Sequence, residues 1–296
     1  MLLLFIALSP PAALLIFIYF VDKYQHEPWI EILKAVAAGV ISAFIALAAV
    51  LGTKILFPPS VLGAIGDSFI NAAIPEELAK LLMLWLVLMS NKHFDEYFDG
   101  IVYAVCVGLG FAGLENILYL FGEEDFVTLG VVRGIISVPA HFLFAVAMGY
   151  YYSLVHFKHD LTKQQKYFYA LCVTVVPILL HGFFDSFLMV MSWSAYQMNY
   201  ALAGACVIAF FLLCIYMVVF AFKKCKKLLQ TDKRMFEMLA QHQFNEYWTV
   251  PVQAPLSPLS PQSSQQWNHS PQSPQSPQSP QSPQSCPPQD ESPIKQ

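Results

Sequence analysis

The chain has 296 residues, of which 56% are apolar and only 12% charged, with a formal net charge of −4. A soluble domain of this size needs far less apolar surface for its core, so the composition excludes an ordinary water-soluble globule and points to a membrane protein. The basic residues form no face interleaved with aromatics, which excludes nucleic acid as a partner, and six cysteines without a CxxC pair exclude a zinc ribbon or a disulfide framework.

The apolar residues fall into seven runs, at Met1 to Phe20, Ile30 to Phe57, Leu62 to Met89, Gly100 to Phe121, Phe126 to Phe157, Tyr167 to Met191 and Tyr200 to Phe222. A bilayer core of roughly 30 Å is crossed by about 20 helical residues, so the expected fold is all-α, a polytopic transmembrane bundle of about seven spans over residues 1–222. The first run has no basic leader, carries Pro10 and Pro11, and is followed by no clear small-residue cleavage site, so it reads as a retained helix.

Lysine and arginine in short loops set orientation. Lys23, Lys34, Lys92, Lys158, Lys163 and Lys166 fall in or near the odd-numbered loops, and Lys223, Lys224, Lys226, Lys227, Lys233 and Arg234 follow the last run, whereas the alternate loops hold only Lys54. The N terminus is therefore expected outside and the C terminus in the cytoplasm. Residues 223–250 read as a basic juxtamembrane segment with an interfacial helix over Thr231 to Tyr247. Residues 251–296, ending in a Ser-Pro-Gln repeat, bury too little apolar surface to order and read as a disordered tail.

An ionisable group at the bilayer centre costs about 3 kcal/mol on insertion scales, so each one needs a reason. Glu76, Glu77 and Lys80 lie in the third run, Glu115 in the fourth, His141 in the fifth, and His181 with Asp185 in the sixth. Glu76 and His141 fall at mid-span, His181 about two residues beyond it, and Glu115 roughly 7 Å from it at the helical rise per residue. Four helices thus put carboxylate or imidazole at one depth. Spacings of three and four residues let Glu76 and Glu77 meet Lys80 and let His181 meet Asp185. Pro75 and Pro139 remove backbone bonds at the same level, which membrane helices tolerate where they line a cavity or pack on protein.

Four carboxylates against Lys80 alone leave an excess of negative charge that protons or a divalent cation must offset. Two histidines and a carboxylate with an open position suit catalytic zinc, so Glu115, His141 and His181 read as metal ligands, with Glu76 or Glu77 as general base and Asp185 orienting His181. Lys80 would hold a glutamate in place. Asn116 reads as a supporting group that joins helices, Arg133 as a residue that snorkels from its helix end, and Phe111 as packing.

The segments Glu76-Glu77-Leu-Ala-Lys80, Gly110-Phe-Ala-Gly-Leu-Glu115-Asn116, the isolated His141, and His181-Gly-Phe-Phe-Asp185 resemble, in this order, the motifs of the PrsW family of membrane-embedded proteases. Asp22-Lys-Tyr-Gln-His-Glu27-Pro28-Trp29 is similar to that family's opening. The resemblance implies an intramembrane peptidase acting on a membrane-anchored protein, in the founding case a single-span anti-sigma factor, and a bacterial plasma membrane as its location. It also implies kinship with the CAAX-processing and bacteriocin-processing membrane proteases, which have a histidine where this chain has Glu115. The family is often called metalloprotease, and a metal-free glutamate and histidine mechanism is the alternative. A proton- or cation-coupled transporter would use the same buried groups as an ion path, although no internal repeat relates the two halves.

Overall fold

The computed structural model describes residues 1–249, and the tail expected over 251–296 lies outside them, as does Val250. Its helices are α1 (Leu2–Val21), α2 (Trp29–Thr53), α3 (Val61–Gly66), α4 (Ile74–Leu88), α5 (Asp99–Leu120), α6 (Phe126–Ile135), α7 (Ser137–Phe157), α8 (Lys163–Tyr196) and α9 (Tyr200–Thr249), with a π-helical segment, Asp67–Ala73, joining α3 to α4. Among the described residues six helical stretches are long and apolar enough to cross a membrane. The protein is a multi-pass, all-helical membrane protein.

The difference from seven lies in the third run. It is helical from Val61 to Leu88 but interrupted, so none of its three pieces has the length of a span by itself. The interruption follows from Pro75, the second residue of α4, which has no N–H to continue the ladder. One residue earlier the backbone N–H of Ile74 reaches back to Phe69 O, a five-residue step. Such π-turns insert at functional positions and shift the side chains that follow. Here they are Glu76 and Glu77. The fifth run is divided likewise, between α6 and α7 at Ile136, three residues before Pro139.

Helix α5 is the axis of the bundle, buried along most of its length between α1, α2 and α7. Its glycines permit that position. A methyl group built on Gly110 would stand 2.2 Å from Val36 O on α2, and one on Gly149 of α7 would stand 2.2 Å from Gly100 O on α5. In lipid no hydrophobic force drives helices together, so van der Waals contact at small residues does.

Helix α9 has 50 residues and spans about 75 Å at the helical rise, more than twice a bilayer core. Thr231 to Tyr247 is helical as a direct continuation of this helix. Its first part packs Phe210 and Met217 against Phe184 and Phe144, while farther along the buried Asp232 accepts the backbone N–H groups of Tyr97 at 3.0 Å and Phe98 at 2.9 Å.

Candidate active site

The residues expected at one depth converge. Glu77 is 1% exposed and its Oε1 accepts from Lys80 Nζ at 2.8 Å and from His181 Nδ1 at 2.9 Å. The same ammonium lies 3.1 Å from His141 Nδ1 and 3.4 Å from Glu76 Oε2, and rests on the face of Phe111 at 3.9 Å. His141 Nε2 meets Glu115 Oε2 at 2.9 Å. His181 Nε2 faces Asp185 Oδ2 at 3.2 Å and Glu76 Oε2 at 3.9 Å. The two imidazoles stand edge to face, 5.4 Å apart, and His181 is stacked on Phe144 at 4.8 Å.

The adjacent glutamates are placed differently. Glu76 lines two adjoining cavities of about 610 and 220 Å³, together with Glu115, Tyr119 and Asp185, and its Oε1 accepts no hydrogen bond among the described residues. Glu77 lines neither and is held by two donors. The larger cavity runs from Glu76 past Ala43, Ala46 and Val50 of α2 to Lys54, Asp67 and Asn71. The smaller one reaches His141, His181 and Ser137.

Arg133 departs from its sequence reading. It does not snorkel outward, since its Nη2 lies 2.9 Å from Glu115 Oε2, its Nε donates to Asn116 Oδ1 at 2.9 Å, and its guanidinium covers the Tyr119 ring at 3.9 Å. Asn116 in turn donates to Ala7 O at 3.2 Å, so it joins α1, α5 and α6. The signal that would have revealed Arg133 was its apolar surroundings close in sequence to an acidic helix; its position near a helix end read as snorkelling instead.

Glu76, Glu115 and His141 bring one ligand atom each to within 4.8 Å of one another, the one such set of three among the described residues. His181 is outside it, with both ring nitrogens facing carboxylates. The donor chemistry suits a divalent metal: two carboxylates and an imidazole facing a cavity give three oxygen and nitrogen donors with a position left open, one imidazole fewer than a set of two histidines and a glutamate. Charge favours a cation as well. Glu76, Glu77, Glu115 and Asp185 face Lys80 and Arg133, and His181, with a carboxylate at each ring nitrogen, carries both protons, so the cluster keeps an excess of one negative charge.

The family model described as PrsW family intramembrane metalloprotease matches residues 27–222. The chain belongs to the PrsW family of intramembrane proteases. It is 38% identical over 175 residues to Protease PrsW of Clostridioides difficile, covering 57% of this chain and 71% of that protein. It is 35% identical over 201 residues to Protease PrsW of Bacillus subtilis, covering 65% and 86%, and 34% identical over 203 residues to that of Geobacillus kaustophilus, covering 66% and 84%. No solved structure matches the chain. The PrsW match takes in every motif from Glu76 to Asp185, and nothing in these relatives supports the transporter reading.

Proposed function

We propose that this PrsW-family protease hydrolyses a peptide bond of a membrane-anchored protein, a single-span regulator being the substrate class that the resemblance implies. The observation that carries the reading is the convergence of Glu76, Glu115 and His141 on a cavity wall, beside a charged scaffold that does not face the cavity. An extended substrate segment lies along the larger cavity between α2 and α5, entering laterally from the bilayer. Glu76, whose Oε1 is free, takes the proton from the attacking water.

Glu115 and His141, with Glu76 completing the set, would hold a divalent metal, for which zinc is the expected ion. Such an ion would supply Lewis acidity toward the scissile carbonyl and the water. His181, supported by Glu77 on one ring nitrogen and Asp185 on the other, gives a ring proton to the leaving amine and recovers one from Glu76, whose Oε2 lies 3.9 Å from its Nε2. Arg133 fixes Glu115, and Lys80 fixes Glu77. The odd-numbered loops and the C terminus face the cytoplasm of a bacterial plasma membrane, which puts the Lys54, Asp67 and Asn71 end of the larger cavity on the outer side.

The test is cleavage of a panel of single-span substrates by protein reconstituted in lipid, with and without chelator. Cleavage that is lost in chelator and in the Glu76→Gln variant, and returns when zinc is added to the wild type, supports the assignment. Full cleavage by Glu76→Gln refutes it, and chelator-resistant cleavage refutes the metal.

A further inference from the structure

A second group of buried carboxylates lies at the other end of α5, 16 residues from Glu115 and so about 24 Å away along the helix. Asp22 ends α1, Glu27 precedes α2, Glu96 and Asp99 lead into α5, and Asp232 comes from α9; none is more than 7% exposed. Asp99 Oδ2 accepts the backbone N–H groups of Asp95 and Glu96, Asp232 caps Tyr97 and Phe98, and Glu27 accepts from Tyr103 Oη. That leaves five oxygens, both of Asp22, both of Glu96 and Oδ1 of Asp99, sealed from solvent and without a donor.

No lysine or arginine forms an ion pair with any of these five residues among the described ones. Other polar neighbours include the exposed His26, whose charge acts on Asp22, Asn91 beside Tyr103, and Asp95, which accepts from Gln25. The carboxylates act on one another: burial foremost, then the charges of Asp232, Asp22, Asp95 and Glu27, push Glu96 up to about 8. Buried like charges without a counter-charge are strongly disfavoured, and an unsatisfied buried carboxylate in a folded protein calls for an occupant.

We propose that this cluster binds a hard divalent cation of the Ca²⁺ class, at a site separate from the protease centre, which ties α9 to the ends of α1, α2 and α5. The donors are all oxygen, which selects against zinc and copper. Ca²⁺ takes six to eight oxygens in flexible geometry, whereas Mg²⁺ demands a near-ideal octahedron. Among the described residues only Glu76, Glu115 and His141 bring three ligand atoms within 4.8 Å of one another, so binding here draws the carboxylates in around the ion, which the flexible shell of Ca²⁺ allows more readily than the octahedron of Mg²⁺. Binding to the folded state alone stabilises it by mass action.

The test uses the full chain in lipid nanodiscs, stripped of metal and titrated with Ca²⁺. Tb³⁺ luminescence sensitised by Tyr103 reports occupancy, and the thermal midpoint reports stability. The expected result is one Ca²⁺ that displaces Tb³⁺ and raises the midpoint. Asp22→Asn and Glu96→Gln should each weaken that binding by roughly tenfold or more, as loss of a ligand charge does. Both variants relieve repulsion, so without cation they should melt no lower than the wild type. Glu76→Gln and Glu115→Gln should leave Tb³⁺ binding intact. Binding unchanged in Asp22→Asn and Glu96→Gln, or lost in the Glu76 and Glu115 variants instead, overturns the proposal. So does a midpoint that answers to protons alone, with no Ca²⁺ or Tb³⁺ bound.

Discussion

Changing Glu77 to glutamine replaces one oxygen of a carboxylate that accepts from Lys80 at 2.8 Å and His181 at 2.9 Å in a site 1% exposed. The substitution leaves the Lys80 ammonium buried against a neutral partner, and removing one member of a buried pair costs about 3–5 kcal/mol. Because both donors reach Oε1, and an amide oxygen in its place still accepts both bonds, the lower end applies, and at 2–4 °C per kcal/mol for a chain of this size the midpoint should fall by roughly 6–12 °C. The same change at Glu76 should behave differently. Its side chain is 16% exposed toward the cavity and its contact with Lys80 is 3.4 Å, so the stability loss should be no more than about 1 kcal/mol. Cleavage should nevertheless drop by about 10²–10⁴, the usual contribution of a general base, equivalent to about 2.7–5.5 kcal/mol in the barrier. Scanning fluorimetry in nanodiscs, run beside cleavage of a single-span substrate, separates the two effects. A Glu77→Gln protein that melts like the wild type, or a Glu76→Gln protein that cuts like it, would refute the division of roles.

Arg133→Gln removes the 2.9 Å contact to Glu115 and the cover on Tyr119; kcat/KM should fall by at least about tenfold, as for other misplaced catalytic groups, with a smaller loss of stability, measured on the same substrate panel. Gly149→Val puts a side chain where a methyl already meets Gly100 O at 2.2 Å, and overpacking of this kind should lower stability by about 1–3 kcal/mol or more in a denaturation series. In metal-free buffer, burial raises Glu96 from its ordinary 4.5 to about 8, Glu27 to about 7 and Asp22 to about 6. The folded chain then keeps protons that the unfolded chain has lost, so this contribution is full below about pH 4.5 and is lost as pH rises towards 8. The thermal midpoint should fall over that window, and less steeply in Glu96→Gln.

The sequence alone determined that this is a helical membrane protein and where its apolar runs lie, because the length of a span is a property of the bilayer and is read directly from consecutive residues. It also determined the shared depth of Glu76, Glu115, His141 and His181, since rise per residue converts position into height. Azimuth was not legible. Consecutive residues on a helix point about 100° apart, and which of Glu76 and Glu77 faces the cavity depends on the π-turn at Asp67–Ala73, which no periodicity discloses. The placement of Arg133 against Glu115 goes with the end of α6 at Ile135, a break that the apolar run from Phe126 to Phe157 does not show. Asp22, Glu27, Glu96, Asp99 and Asp232 lie in segments scattered over more than 200 residues; Asp22 and Glu27 stood out only within the opening motif, and no spacing set the other three apart. Only the tertiary fold, by docking the long α9 beside the entry to α5, brought them into one place and removed the water that each would otherwise have kept.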